Sequence, residues 1–192
     1  LNHQQLGQCP LGAESQRLPV RVNDAAVDRY LVDQVAQLDG HELLVGLEVR
    51  RRMAERVQRR LERLEVSNAV VLWANANVYF ESLFPASSLE AVYVHFPDPW
   101  CKQRNRKPRA VPPHLPDRTA AAPVPGGPLR FVSDVEEYAE EVVAQMQSKP
   151  SYQRCSGAER QAAEGLDLPR SHREAWHAAQ GDPIYSYLWQ RG

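Results

Sequence analysis

Short runs rich in apolar residues recur along the chain, and each has the length that is typical of a buried strand. The predicted strands are 43–47, 69–73, 91–96, 129–132 and 184–189. The first three runs are almost continuous in apolar side chains rather than alternating, which favours strands that are covered on both faces of a sheet.

Helical periodicity appears between these runs. The clearest case lies between residues 50 and 65, where apolar side chains recur at steps of four, four and three residues: Met53, Val57, Leu61 and Leu64. They form one helical face, and seven arginines occupy the rest of the helix. We interpret the arginines as a solvated outer face, with RNA contact as the less favoured alternative.

Strands that alternate with helical segments predict an α/β fold with a mainly parallel central sheet flanked by helices, and ligands at the carboxyl ends of its strands. Further helices are predicted at 25–38 and 135–147, and the polar stretch 148–170 is interpreted as loop. The six prolines between residues 110 and 128 limit any helix there to a short or broken one. We interpret the chain of 192 residues as an irregular arm, 1–19, followed by one domain, 20–192.

Composition narrows the function classes. The formal net charge is −1, so any attraction to nucleic acid must come from local clusters of charge. Three cysteines without a C-x-x-C pair argue against a disulfide framework and a structural zinc site, and they favour a reducing compartment. No apolar run reaches the length of a membrane span, so we expect a soluble cytoplasmic protein or, as an alternative, an organellar one such as a plastid protein.

Glu48 directly follows the first predicted strand, where an acidic side chain commonly binds ribose hydroxyls. For this residue alone, a strand-end glutamate that faces solvent is an equally good interpretation. The nucleotide-binding interpretation requires a glycine-rich turn about 20 residues earlier. Residues 22–28 stand there instead and contain no glycine, which leaves two alternatives: weak or different cofactor binding, or its loss.

A proline-stiffened turn follows the third predicted strand, with Asp98 between Pro97 and Pro99. The turn would hold a carboxylate rigidly at the carboxyl end of the sheet, although an ordinary surface turn is the competing interpretation. A run of cations comes next: Lys102, Arg104, Arg106, Lys107 and Arg109. So close to the carboxylate, these cations are suited to hold a polyanion over the same pocket, with Trp100 as a stacking surface.

Two S-x-x-E segments, 133–136 and 171–174, predict helix N-termini in which serine and glutamate cap the free backbone amides. The first would also present Asp134 to a ligand at the end of a strand. Neither metal-ligand spacing among the histidines nor a nucleophile–base–acid arrangement is found in the sequence.

These segments together resemble the tRNA (guanine-N7)-methyltransferases, which use S-adenosylmethionine on a Rossmann-like sheet. The resemblance covers roughly residues 41–192 and depends most on Phe96-Pro97-Asp98-Pro99-Trp100 with the basic run after it. Supporting matches are Gly46-Leu47-Glu48, Asn75-Ala76, Ser133-Asp134 and Ser171 to Glu174, followed by Gly181 and Ile184-Tyr185.

The resemblance implies a Rossmann-like methyltransferase fold, S-adenosylmethionine as cofactor and tRNA as partner, while the spacing of cysteines and histidines predicts no metal site. The resemblance also implies that Asp98 is catalytic and that the cofactor contacts are Glu48, Asn75 and Asp98. Substrate contacts are implied for Lys102, Asp134, Ser171 and Glu174, and RNA contacts for Arg104, Arg106, Lys107 and Arg109. Because guanine N7 carries an available lone pair, we expect Asp98 to orient the guanine edge rather than to act as a general base.

The sequence also departs from this family. Residues 22–28 lack the acid and the glycines of the family's cofactor motif, and residues 112–125 replace a regular family helix with a proline-rich stretch. Two functions therefore stay open: a tRNA (guanine-N7)-methyltransferase, and a relative that binds tRNA without methyl transfer. A generic nucleotide-binding domain with an incidental basic loop is a third, less favoured alternative.

Overall fold

Strands alternate with helices in the computed structural model, which describes residues 20–23, 43–97, 119–155 and 171–192. Its strands are β1 (Val20–Asn23), β2 (Leu44–Glu48), β3 (Ala69–Trp73), β4 (Val92–His95), β5 (Pro128–Ser133), β6 (Tyr152–Arg154) and β7 (Tyr185–Arg191). The helices of the same ranges are α1 (Arg51–Arg63), α2 (Ala76–Leu83), α3 (Glu136–Gln147) and α4 (His172–Gln180).

The strands of the described residues form one seven-stranded sheet in the order β3-β2-β1-β4-β5-β7-β6. Strands β1 to β5 pair in parallel, whereas β7 runs antiparallel to both β5 and β6. The predicted α/β fold with a mainly parallel sheet is confirmed. From β1 the chain adds β2 and β3 on one side and then crosses to β4 and β5 on the other side. In such sheets ligands bind outside the carboxyl ends of the strands at the place of this reversal, here called the β1–β4 point.

Each face of the sheet has its own apolar core, because successive side chains of a strand point to opposite faces. On one face, α1 packs Val57 and Leu61 against Leu44 and Val71. The larger core on the other face includes Val45, Leu47, Phe80, Val94, Phe131, Tyr138, Val142 and Trp189. The predicted apolar face of the arginine-rich helix is thus confirmed at its centre, while Leu64, just beyond the helix end, is exposed.

Two of the strands carry too weak an apolar pattern to be predicted. β1 has the sequence Val-Arg-Val-Asn and β6 the sequence Tyr-Gln-Arg, so neither contains an apolar run. Their backbone pairing with neighbouring strands establishes them instead. The interpretation of 148–170 as loop is therefore wrong at β6, whereas the predicted helix at 25–38 lies outside the described residues.

The predicted capping box at 133–136 is wrong. Ser133 is the last residue of β5, and its hydroxyl oxygen accepts a hydrogen bond from the backbone N–H of Val135 at 3.1 Å. Helix α3 begins only after Val135, which provides no side-chain cap. The serine closes the turn between strand and helix rather than capping the helix.

In the ranges that the structure describes, no helix combines the length and the apolar character that a membrane span requires. The same ranges contain no group of three or more His, Cys, Asp or Glu side chains placed to hold a metal ion.

Candidate functional site

Polar side chains gather at the carboxyl edge of the sheet, on both sides of the β1–β4 point. Glu48 ends β2, and Asn75 follows β3 at the start of α2. On the other side, Asp134 follows β5, and beside it the apolar Phe96 follows β4. The parallel strands bring these residues to one edge because their carboxyl ends all point the same way.

Glu48 is buried, and Arg50 holds its carboxylate. The backbone N–H of Arg50 donates to Oε1 at 2.7 Å, its Nε donates to the same oxygen at 3.2 Å, and Nη2 donates to Oε2 at 3.4 Å. The alternative in which Glu48 faces solvent is therefore wrong. Arg50, which sequence reasoning did not select, offsets the charge of this carboxylate and fixes its direction.

Asn75 is the N-cap of α2. Its Oδ1 accepts a hydrogen bond from the backbone N–H of Asn77 at 3.0 Å, which satisfies one of the amides that the helix cannot pair itself. The neighbouring amide of Ala76 belongs to the same set of helix-terminal N–H groups. A helix start with oriented amides thus lies at the end of β3, next to the strand that ends in Glu48.

Trp73 is an aromatic residue of this edge that the sequence analysis did not single out as a site residue. It pairs in register with Glu48 on the adjacent strand, yet its side chain is 44% exposed. Its indole N–H donates to the carbonyl of Val49 at 3.0 Å, and the guanidinium of Arg51 lies 5.3 Å from the ring centroid. The only sequence signal was a large aromatic at the end of a strand rather than within it.

Asp134 forms an ion pair with Arg173 of α4, with 2.7 Å between Oδ2 and Nη2. Burial raises the pKa of this carboxyl, but the hydrogen bond and the charge of Arg173, a backbone hydrogen bond and nearby His177 together outweigh burial, so that the pKa lies below its ordinary value. Asp134 is therefore held ionised and can only accept hydrogen bonds.

His177 joins two carboxylates across this corner. Its Nε2 lies 3.4 Å from Asp134 Oδ2, and its Nδ1 lies 3.0 Å from Asp182 Oδ2. The ring also stacks on Phe96, with 6.0 Å between centroids, and meets Trp176 edge to face. Linear spacing gave no signal for the pair of His177 and Asp134, because the two residues are far apart in the chain.

Phe96 lies at the point where β4 turns towards Pro97. It is buried, and its φ of 47° is unusual for a residue with a bulky side chain. Arg173 lies over its ring at 4.9 Å, so one guanidinium contacts both the strained turn after β4 and the carboxylate after β5. The residues predicted to follow this turn, Asp98, Lys102, Arg104, Arg106, Lys107 and Arg109, lie outside the described residues and stay predictions.

Ser171 and Glu174 form the predicted capping box at the start of α4. The Ser171 hydroxyl oxygen accepts from the Glu174 amide at 3.1 Å, and Glu174 Oε2 accepts from the Ser171 amide at 2.9 Å. Glu174 Oε1 also accepts from Arg130 at 2.8 Å, and Ser171 and Glu174 are both buried. Their bonds are directed within the protein, which favours a structural role; substrate contact by either residue stays a prediction.

Replacing Arg173 with methionine is expected to lower the free energy of unfolding by about 1.5–3 kcal/mol at neutral pH, because it removes a charged hydrogen bond to Asp134. Asp134 has a lowered pKa in the folded protein, so its ionised form stabilises the wild type above the ordinary pKa of 3.8. That contribution is lost as the pH falls through the lowered pKa, and the difference between the two proteins should shrink there. Urea unfolding between about pH 7 and pH 3 measures both effects.

The control for this experiment is Arg52→Met, which removes an exposed arginine of α1. Its effect should stay within about 0.5 kcal/mol at every pH. A difference between wild type and Arg173→Met that did not change with pH would contradict the ion pair as its source.

Comparisons with known proteins agree with this fold. A family described as "Putative methyltransferase" matches residues 28–186. The chain is 31% identical over 182 residues to the tRNA (guanine-N(7)-)-methyltransferase of Synechococcus sp. (strain CC9311), covering 93% of this chain and 77% of that protein. It is 37% identical over 142 residues to the protein of the same name from Anaeromyxobacter dehalogenans (strain 2CP-C), covering 74% and 70%.

Solved structures show the same fold at low sequence identity. A SAM-dependent methyltransferase from Aquifex aeolicus superposes with a TM-score of 0.59 at 10% identity, covering 94% of this chain and 85% of that chain. A protein from Streptococcus mutans described as "a putative methyltransferase", in complex with SAH, gives a TM-score of 0.53 at 10% identity, covering 92% of this chain and 90% of that chain. The fold is thus the Rossmann-like methyltransferase fold.

Proposed function

Since this chain belongs to the tRNA (guanine-N(7)-)-methyltransferase family, we propose that it transfers the methyl group of S-adenosylmethionine to N7 of a guanosine in tRNA. Relatives that bear this name match most of the chain. No match favours the alternative of a relative that binds tRNA without methyl transfer.

The observation that carries the proposal is the division of the carboxyl edge into two polar halves. Glu48 and Asn75 lie on the β2–β3 side of the β1–β4 point. Asp134 and His177 lie on the β5 side, next to Phe96. A cofactor and a guanosine that meet above the β1–β4 point would each have their own set of hydrogen-bonding groups.

The β2–β3 half fits the nucleoside part of S-adenosylmethionine. The buried carboxylate at the end of β2 offers acceptor oxygens for ribose hydroxyls, and the amides at the start of α2 can donate to an adenine edge. Glu48 and Asn75 would hold the cofactor, and Arg50 would have to share the Glu48 carboxylate with it. When bound, the cofactor supplies an electrophilic methyl group on a sulfonium.

The reaction requires little acid–base work from the protein. Guanine N7 carries a lone pair and no proton, so the protein needs only to hold the base in the reactive orientation and to exclude other orientations. The guanine N1–H and its exocyclic amine are donors, which ionised carboxylates can accept. Asp98 would orient this guanine edge, and Asp134 would provide a second acceptor kept ionised by Arg173.

The direct test is to incubate the protein with radiolabelled S-adenosylmethionine and an unmodified tRNA transcript, and to identify the labelled nucleoside by chromatography. We expect N7-methylguanosine. A transcript made with 7-deazaguanosine, which has carbon in place of N7, should take up no label and is the matched control. Label on another atom, or label that persists in the 7-deaza transcript, would contradict the proposed function.

A further inference from the structure

Four exposed arginines form one stripe along α1. Arg52, Arg56, Arg59 and Arg63 follow one another at steps of four, three and four residues, which places them on one side of the helix. The opposite side carries Ala54, Val57 and Leu61, which are buried against the sheet. The four arginines, here called the α1 stripe, therefore point away from the core.

The acidic side chains of α1 lie beside the stripe and do not interrupt it. Glu55 is bound at 2.6 Å by Arg51, which is not a member of the stripe, and it lies farther, at 4.0 Å, from Arg59. That hydrogen bond from Arg51 is the main reason why the pKa of Glu55 is lowered. Glu62 accepts a hydrogen bond from Gln58 at 3.2 Å. The stripe is thus a local concentration of positive charge in a chain whose formal net charge is −1.

The dimensions and position of the stripe suit a nucleic-acid backbone. Its ends are eleven residues apart, a rise of roughly 16 Å along the helix, which is long enough to meet several successive phosphates. Arginine presents a planar fork that can donate two hydrogen bonds to one phosphate. α1 begins three residues after Glu48, so the stripe starts at the carboxyl edge and leads away from it over the outer surface.

We propose that the α1 stripe binds the sugar–phosphate backbone of the tRNA, as a second contact surface apart from the predicted run at residues 102–109. The inference depends on the proposed function, because it assumes that the polyanion is the RNA whose guanosine enters the site. The stripe contributes affinity and not chemistry, since it lies on the outer side of α1. Its contribution should fall as salt concentration rises, as phosphate contacts do.

The test compares two variants that each remove two positive charges. Arg52→Gln/Arg63→Gln changes both ends of the stripe and keeps the helix, because glutamine and arginine have similar helix propensity. Lys149→Gln/Arg154→Gln makes the same change of charge near β6, at the opposite edge of the sheet. For the stripe variant we expect the Kd for tRNA to rise about tenfold and the slope of log K against log salt to become shallower by about 1.5. The Kd of the control variant for tRNA should stay within about twofold of the wild-type value.

Further measurements separate the outcomes. Turnover at saturating tRNA should equal wild type in the stripe variant, and Arg52→Lys/Arg63→Lys, which keeps both charges, should regain most of the affinity. Equal Kd and equal salt slope in wild type and the glutamine stripe variant would overturn the proposal and would point to an acidic protein partner or to solvent alone for this surface. A wild type that binds but does not methylate tRNA would contradict the proposed function and not the stripe.

Discussion

Glu174→Ala is expected to lower the free energy of unfolding by about 3–5 kcal/mol, the cost of removing one partner from a buried ion pair. Glu174 accepts a 2.8 Å hydrogen bond from Arg130 and a 2.9 Å bond from the amide of Ser171. It also lies 3.8 Å from Nδ1 of the buried His95. Alanine would leave the guanidinium of Arg130 without this acceptor and the first turn of α4 without its cap. Urea or thermal unfolding measures the loss.

Two further variants separate the parts of this effect. Ser171→Ala removes only the hydroxyl half of the capping box and should cost about 1 kcal/mol. Glu174→Gln keeps a side-chain oxygen for the cap but loses the charge that faces Arg130, so its stability should fall between those of the other two. If Glu174→Ala unfolded like the wild type and only tRNA affinity fell, Glu174 would be a substrate contact and not a structural anchor.

Asp98→Ala is expected to lower the rate of methyl transfer about 100-fold at saturating tRNA and cofactor, because the reacting guanine would be poorly oriented. Asp98 is assigned from its place between two prolines after Phe96 and from the family resemblance. Because N7 needs no deprotonation, the loss should reflect orientation, and it should be similar at all pH values where Asp98 is ionised. Single-turnover assays at several pH values measure the chemical step directly.

A tRNA with inosine at the target position tests which contact is lost. Inosine lacks the exocyclic amine of guanosine but keeps N7. If Asp98 accepts a hydrogen bond from that amine, the effects of Asp98→Ala and of inosine should not add, because both remove the same contact. An unchanged rate in a folded Asp98→Ala protein would contradict the assignment, and fully additive effects would place the amine contact elsewhere.

The periodic segments of the fold were predictable from local sequence. The helix predicted between residues 50 and 65 and the strand at 69–73 appear as α1 and β3, and their apolar positions form a core cluster. β1 was not predicted, although it lies at the centre of the sheet, because a four-residue strand with alternating polar residues carries little periodic signal. The pairing of β1 with β2 and β4, which are distant in the chain, establishes it as a strand.

The strand ends that carry the candidate site were predictable, but several of its residues and their contacts were not. The end of β2 and the turn after β5 were correctly expected at the carboxyl edge, since parallel strands end there together. Arg173 and His177 were not selected, because their partner Asp134 precedes them by about 40 residues. Short-range patterns do not report such pairs, although Asp182, five residues after His177, was within reach of a search across the turn at Gly181.

By itself, the sequence determined the class of the protein: the periods of its helices and strands, the polar residues at the strand ends, the capping box at Ser171 and the family resemblance. These features depend on neighbours in the chain, where helix and strand geometry repeat at fixed steps. Only the tertiary structure decided that Arg50 holds Glu48, that Arg130 and the cap share Glu174, and that Arg173 keeps Asp134 ionised. The physical reason is that the charge state and direction of a carboxylate are set by the groups that the fold brings to it. Arg50 and the Ser171 amide are neighbours in the chain, but Arg130 and Arg173 are about 40 residues away from the carboxylates that they bind.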